Sequence, residues 1–145
     1  MKRILVATDG SPDAARAVEY AAQLAKDSGA ELFVANVIGD DALPNDIFRL
    51  FTRAQQDWIS EHLEAHSAEL LKHAQDKLQE LGVSSIHLES RRGNIASTII
   101  KIADDMAADA IVVGKRGAGH VAGVLLGSVS QKLVSLAPHV VIVVP

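Results

Sequence analysis

Ala110-Ile111-Val112-Val113-Gly114-Lys115-Arg116-Gly117-Ala118-Gly119-His120-Val121-Ala122-Gly123-Val124-Leu125-Leu126-Gly127-Ser128 is the stretch on which the reading of the fold turns. It opens with an uninterrupted apolar run, the pattern of a strand covered on both faces. From Gly114 to Ser128 it then holds five of the chain's ten glycines. Glycine lets backbone approach a ligand closely and adopt positive φ, and clustered amides form a concavity suited to anions. A helical pattern begins at Ser128 and runs to about Leu136. The start Gly127-Ser128-Val129-Ser130 therefore offers free helix amides and two hydroxyls, a natural seat for a phosphate. Lys115 and Arg116 add positive charge at the rim. Without a ligand, the same residues read as a glycine-rich surface loop whose last members cap a helix.

Working outward, the same alternation of strand and helix recurs. Ile4-Leu5-Val6-Ala7 is a short apolar strand closed by Thr8-Asp9-Gly10. Ser11 suits an N-cap, Pro12 the first helical position, and Asp13 the positive end of a helix dipole. The helix from Pro12 to Asp27 presents Ala14, Ala17, Val18, Ala21, Leu24 and Ala25 on one face, and Ser28-Gly29 ends it. Glu31 to Ile38 reads as the second strand and Gly39 to Pro44 as a polar loop. Asn45 to Leu81 is helical in pattern, a short piece before a long one, stopped by Gly82. Ser84 to Ser90 reads as a half-buried or edge strand, Gly93-Asn94 opens another helix, and His139 to Val144 is the last strand.

Strands alternating with helices predict an α/β fold with right-handed crossovers. We expect a doubly wound, five-stranded parallel sheet, Rossmann-like, in order 3-2-1-4-5 with helices on both faces, and one domain over residues 1–145. Ligands of such sheets bind at the carboxyl ends of the strands where the winding reverses. Here those ends are Thr8-Asp9-Gly10 and Val113-Gly114.

Composition narrows the function. Of 145 residues, 48% are hydrophobic and 22% charged, which provides for a packed core and excludes a disordered chain. Aromatics make up 3%, so Ala, Val, Ile and Leu must build that core. A net charge of −4 argues against a nucleic-acid binder working through a basic face. No cysteine is present, so disulfides, thiolate metal sites and cysteine nucleophiles are excluded. No apolar run approaches the roughly 20 residues needed to cross a bilayer, and Ile4-Leu5-Val6 is too short for a signal peptide; a cytoplasmic location without membrane insertion is expected. No glycine-lysine-serine/threonine triplet occurs, so the loop is not a P-loop. Gly117-Ala118-Gly119 with Gly123 follows the wrong strand for a dinucleotide fingerprint.

Gly114, Gly117, Gly127 and Ser128 are spaced as in the nucleotide signature of the universal stress proteins, which this chain resembles. The likeness extends to Ile4-Leu5-Val6-Ala7-Thr8-Asp9-Gly10-Ser11, to Ala110-Ile111-Val112-Val113-Gly114 and to Val140-Val141-Ile142-Val143-Val144. It implies an ATP-binding domain, usually a homodimer, acting as a nucleotide-dependent stress or regulatory factor. By that resemblance Asp9 contacts the nucleoside, Ala7 and Thr8 line the same wall, and the backbone of Val37 meets adenine. Gly114 and Gly117 then contact ribose and phosphates, with Arg116 at the rim. Gly127, Ser128, Val129 and Ser130 hold the triphosphate, and Mg²⁺ comes with the phosphates. Asn94-Ile95 after Gly93 departs from the family, many of whose members have a proline nearby. The apolar edge Val140 to Val144 would template pairing with another chain, so a homodimer through that strand is expected, with an unidentified protein partner sensing occupancy.

Two other readings use the same pocket. One is a weak ATPase or phosphotransferase. Against it, no acidic residue lies between Ala110 and Val144, and Asp9 and Asp13 are the nearest candidate carboxylates. The other is a structural or chaperone-like dimer that binds AMP, cyclic AMP or no nucleotide. Asp9 also suits a plain Asp-Gly turn. His62, His66 and His73 share a helix face among Glu61, Glu64, Glu69 and Lys72, which reads as a solvated face rather than a metal site. Phe48, Phe51 and Trp58 fit either core packing or an exposed lid or partner surface. His120 is read as an exposed loop residue, and His139 as the start of the last strand.

Overall fold

The computed structural model describes residues 1–40, 43–117 and 126–145. The elements are β1 (Arg3–Ala7), α1 (Pro12–Ser28), β2 (Glu31–Gly39), α2 (Asn45–Phe48), α3 (Arg53–Glu80), β3 (Ile86–Gly93), α4 (Ile95–Asp105), β4 (Ala110–Gly114), α5 (Ser128–Leu136) and β5 (Val140–Val144). All four strand pairings are parallel, in the order β3-β2-β1-β4-β5. This is the doubly wound order that the strand–helix alternation predicts.

Two apolar layers enclose the sheet. On one face Ile4, Val6, Leu32, Val34 and Val112 pack against the alanine stripe of α1 and against Leu71, Ala74 and Leu78 of α3. On the other, Leu5, Ala35, Ile111 and Val113 meet Ala96, Ile99, Ile102 and Ala103 of α4 and Leu133 of α5. Alternate residues of one strand thus serve opposite layers. The small α1 stripe lets β4 come close: a Cβ on Gly114 would stand 2.7 Å from the carbonyl carbon of Asp13.

Local chemistry sets the element ends. Ser11 caps α1 by accepting from the amide of Ala14, and Gly29 closes that helix in the left-handed conformation at φ 72°. Thr52 and Gln55 form a reciprocal capping box that starts α3 and separates it from α2. Gly82, at φ 86°, follows the end of α3. Asp109 accepts from the amides of Arg3 and Lys2, pinning the start of β1 beside β4. Those bonds hold its carboxyl below the ordinary aspartate range.

Several boundaries differ from expectation by a residue or more, and three strands show why. β3 runs from Ile86 to Gly93 rather than from Ser84 to Ser90, because its ladder with β2 continues in register to the pair Gly39–Gly93. Arg91 and Arg92 are tolerated there because β3 is an edge strand, and Arg91 is paired with Glu89 and Asp105. β2 includes Gly39, which the sequence assigns to the following loop. β5 starts at Val140, one residue late, because its ladder with β4 begins at the pair Ala110–Val140; the side chain of His139 before it lies 3.1 Å from Asp104, Nε2 to Oδ1.

Candidate functional site

The carboxyl ends of β1 and β4 part where the winding reverses, and a cavity of about 200 Å³ opens between them. Ala7, Thr8, Asp9, Val37, Gly114, Arg116, Gly117, Gly127, Ser128, Val129 and Ser130 all line it. These are the residues singled out from the sequence. The cavity also takes Val113, already marked as a strand end at the reversal point, and Ala14, Ala35, Asn36, Ile95 and Ile99, which sequence reasoning missed. Period-two spacing from Val37 was available to find Ala35. Ile95 and Ile99, one helical turn apart, read simply as the core face of α4.

β1 ends in a turn built on its own side chains. The Gly10 amide donates to Thr8 Oγ1 at 3.2 Å, and the Ser11 amide donates to Asp9 Oδ1 at 2.9 Å. Gly10 stands at φ 80°, a conformation that disfavours side chains. The other carboxylate oxygen of Asp9 sits so close to Gly117 that a Cβ there would stand 2.7 Å from it. The Asp-Gly turn therefore also forms a wall of the cavity, and Gly117 admits the aspartate.

Asp13, 9% exposed, anchors the start of the glycine-rich segment to α1. One of its oxygens pairs with the guanidinium of Arg16. The other accepts from the backbone amide of Arg116 at 3.1 Å and from its Nε at 3.4 Å. Burial opposes the charge on Asp13, but the bonds and charges from Arg116 and Arg16 outweigh it and lower the pKa. A carboxylate so held is a poor proton acceptor.

Lys115 makes the second anchor. Its amide donates to the Val144 carbonyl at 2.8 Å, and its own carbonyl accepts from the Gly127 amide at 2.7 Å and from Ser130 Oγ at 2.9 Å. Ser130, 3% exposed, thus shares its hydroxyl proton between the Lys115 and Gly127 carbonyls, at 2.9 and 3.1 Å. Beyond the clasp, the first bond of α5 is Gln131 N–H to the Gly127 carbonyl. The amides of Ser128, Val129 and Ser130 therefore have no acceptor within the helix, and Gly127 provides no side-chain cap. Those amides belong to residues that line the cavity together with the apolar Ala35, Val37, Ile95 and Ile99.

The remaining candidates lie elsewhere. His62, His66 and His73 are exposed on α3, and His62 packs on Trp58 with ring centroids 3.9 Å apart. Trp58 is 60% exposed and, with Phe51, lines a separate groove, so those two aromatics are surface rather than core. His120 falls outside the described residues.

A parallel sheet wound both ways, with a crevice at its reversal point and a helix N-terminus at the crevice rim, defines the class: a doubly wound α/β protein with a strand-end site. Residues 1–145 match the profile of the Universal stress protein family, and the chain belongs to that family. A universal stress protein of Methanocaldococcus jannaschii is 34% identical over 143 residues, covering 99% of this chain and 81% of the relative. Among solved structures, universal stress protein UspA from Lactobacillus plantarum superposes with a TM-score of 0.82 at 28% identity, covering 99% of this chain and 97% of the other. A universal stress protein crystallised in complex with cAMP superposes with a TM-score of 0.74 at 27% identity, covering 99% and 95%. Among the described residues, no helix is long and apolar enough to cross a membrane.

Proposed function

We propose that this chain binds an adenine nucleotide in the switch-point cavity and acts as a nucleotide-dependent regulatory module. The observation that carries the reading is one cavity lined both by apolar side chains and by the residues at the start of α5, whose amides have no side-chain cap among the described residues. In this reading an adenine ring lies against Val37 and Ile95 and a ribose hydroxyl donates to Asp9, all three being lining residues of the cavity. Phosphates suit the amides of Ser128 and Val129, where the helix dipole favours negative charge. The cAMP complex of a relative supports the choice of an adenine ligand.

ATP is the preferred form, because several amides and the Ser128 hydroxyl serve more than one phosphate. Mg²⁺ would ride on the phosphates and keep several waters. Among the described residues, no group of three or more acidic or histidine side chains is placed to hold a metal by itself. Turnover is expected to be slow, since Asp13 is committed to two arginines. The last strand, whose first residue Val140 is 59% exposed, is the proposed homodimer contact.

Calorimetric titration of nucleotide-stripped protein with ATP and Mg²⁺ tests this reading, beside a Ser128→Asp variant. A carboxylate at that position fills the helix end and repels phosphate. Wild type is expected to bind one ATP per chain. The variant should lose at least tenfold in affinity while its melting temperature holds or rises. Failure of the wild type to bind ATP, AMP or cyclic AMP would sink the proposal. Rapid multiple-turnover phosphate release would replace the regulatory reading with an enzymatic one.

A further inference from the structure

Three polar side chains form one hydrogen-bonded line through the apolar layer between the sheet and α3. The hydroxyls of Ser90 on β3 and Ser67 on α3 are 2.7 Å apart. Ser67 Oγ donates to Asn36 Oδ1 at 2.7 Å, and Asn36 Nδ2 donates to the Thr8 carbonyl at 2.8 Å. The direction of the line is determined. A carbonyl only accepts, so the amide nitrogen faces Thr8, and Oδ1 takes the single proton of Ser67. Ser90 is therefore the donor to Ser67. Ser67 is 1% exposed and Asn36 7%.

A satisfied buried network adds little net stability, but breaking one member leaves an unpaired group in a low dielectric. What the line does supply is direction. The Thr8 amide already donates to the Ala35 carbonyl at 2.9 Å, so consecutive β2 residues, Ala35 and Asn36, hold both backbone polar groups of Thr8. The turn that presents Asp9 to the cavity is built from Thr8 onward. Yet α3 contributes no residue to the cavity lining.

We infer that Asn36 and Ser67 are positioning residues for the ligand site, transmitting the placement of α3 to the Thr8–Asp9 turn. Affinity at the cavity is thereby sensitive to a helix that does not touch the ligand. At the far end of the line, Ser90 lines a separate groove between α3 and β3, so the line runs along one face of the sheet from that groove to the turn at the site. This inference rests on the nucleotide reading for its functional meaning, though not for its structural test.

Ser67→Ala in the full chain provides that test, with Leu78→Ala as the control. Leu78 is fully buried on the same helix but makes no part of the line. Calorimetry with ATP measures affinity, and the ¹⁵N–¹H resonances of Asp9 and Gly10 in ligand-free protein report the turn. Ser67→Ala should weaken ATP binding by roughly 3- to 30-fold and move both resonances. Leu78→Ala, although more destabilising, should leave both readouts at wild-type values. Equal losses in the two variants would reduce the line to ordinary packing, and unmoved Asp9 and Gly10 resonances in Ser67→Ala would overturn the inference. If wild type binds no nucleotide, the functional reading fails while the resonances still decide whether the line positions the turn.

Discussion

Asp13 is held by two arginines and a backbone amide, and its protonation should be visible in the stability of the whole chain. Its folded pKa lies below the ordinary value of 3.8. The unfolded chain therefore takes up the proton first as pH falls. The stabilisation is fully present above about pH 4 and is lost as pH drops through the lower folded value. Asp13→Asn removes that contribution. Melting temperatures of wild type and variant should differ most at neutral pH and converge below about pH 4; a constant gap down to acid pH would refute the assignment. At this scale the sequence was legible where chemistry is local. Ser11 as a cap and Asp9 at the strand end follow from residue type and neighbours. The partners of Asp13 and Asn36 did not, because Arg116 and Ser67 lie 103 and 31 residues away. Asn36 was still a signal, as the one amide inside the apolar run from Leu32 to Ile38.

Elements behaved as their patterns dictate except where tertiary context prevailed. The break between α2 and α3 is the clearest local case. Thr52 accepts from the Gln55 amide while the Gln55 side chain returns to the Thr52 amide, so the second helix starts afresh. Thr52→Ala should cost about 1 kcal/mol in urea unfolding and leave ATP affinity unchanged. A loss in affinity would mean that the start of α3 also reaches the site. The Thr-x-x-Gln spacing was readable in advance. The end of β3 was not, since Arg91 and Arg92 have no strand-like hydropathy and are held in the ladder by β2. Pairing is a property of two segments, and a single-segment pattern cannot announce it. Trp58 is another such case, because apolar spacing on a helix does not say which face the rest of the chain will cover.

For the whole molecule, five strands and four right-handed crossovers dictate a parallel sheet, the doubly wound order 3-2-1-4-5 is the expected arrangement of such a sheet and is the one observed, and the cavity lies at its reversal point. That is why the glycine-rich segment and the β1 turn could be assigned to one place from the sequence alone, although 105 positions separate Asp9 from Gly114. The two edges of the sheet differ in kind. β3 carries Glu89, Arg91 and Arg92 in its second half, whereas β5 is wholly apolar and exposes Val140. Edges of the second kind pair with another chain unless covered. Sedimentation analysis should therefore find wild type dimeric and Val140→Lys shifted to monomer, with the melting temperature of the variant falling as protein is diluted less than that of wild type. A monomeric wild type at micromolar concentration would remove the edge from consideration. The Lys115 clasp has a consequence of its own for engineering. Its carbonyl is joined to the Gly127 amide at 2.7 Å, so the two ends of the glycine-rich segment meet before the intervening residues matter. Adding residues between two ends so joined costs little, roughly 0.6 kcal/mol per doubling of the length between them. A reporter domain spliced between Lys115 and Gly127 would inherit both anchors.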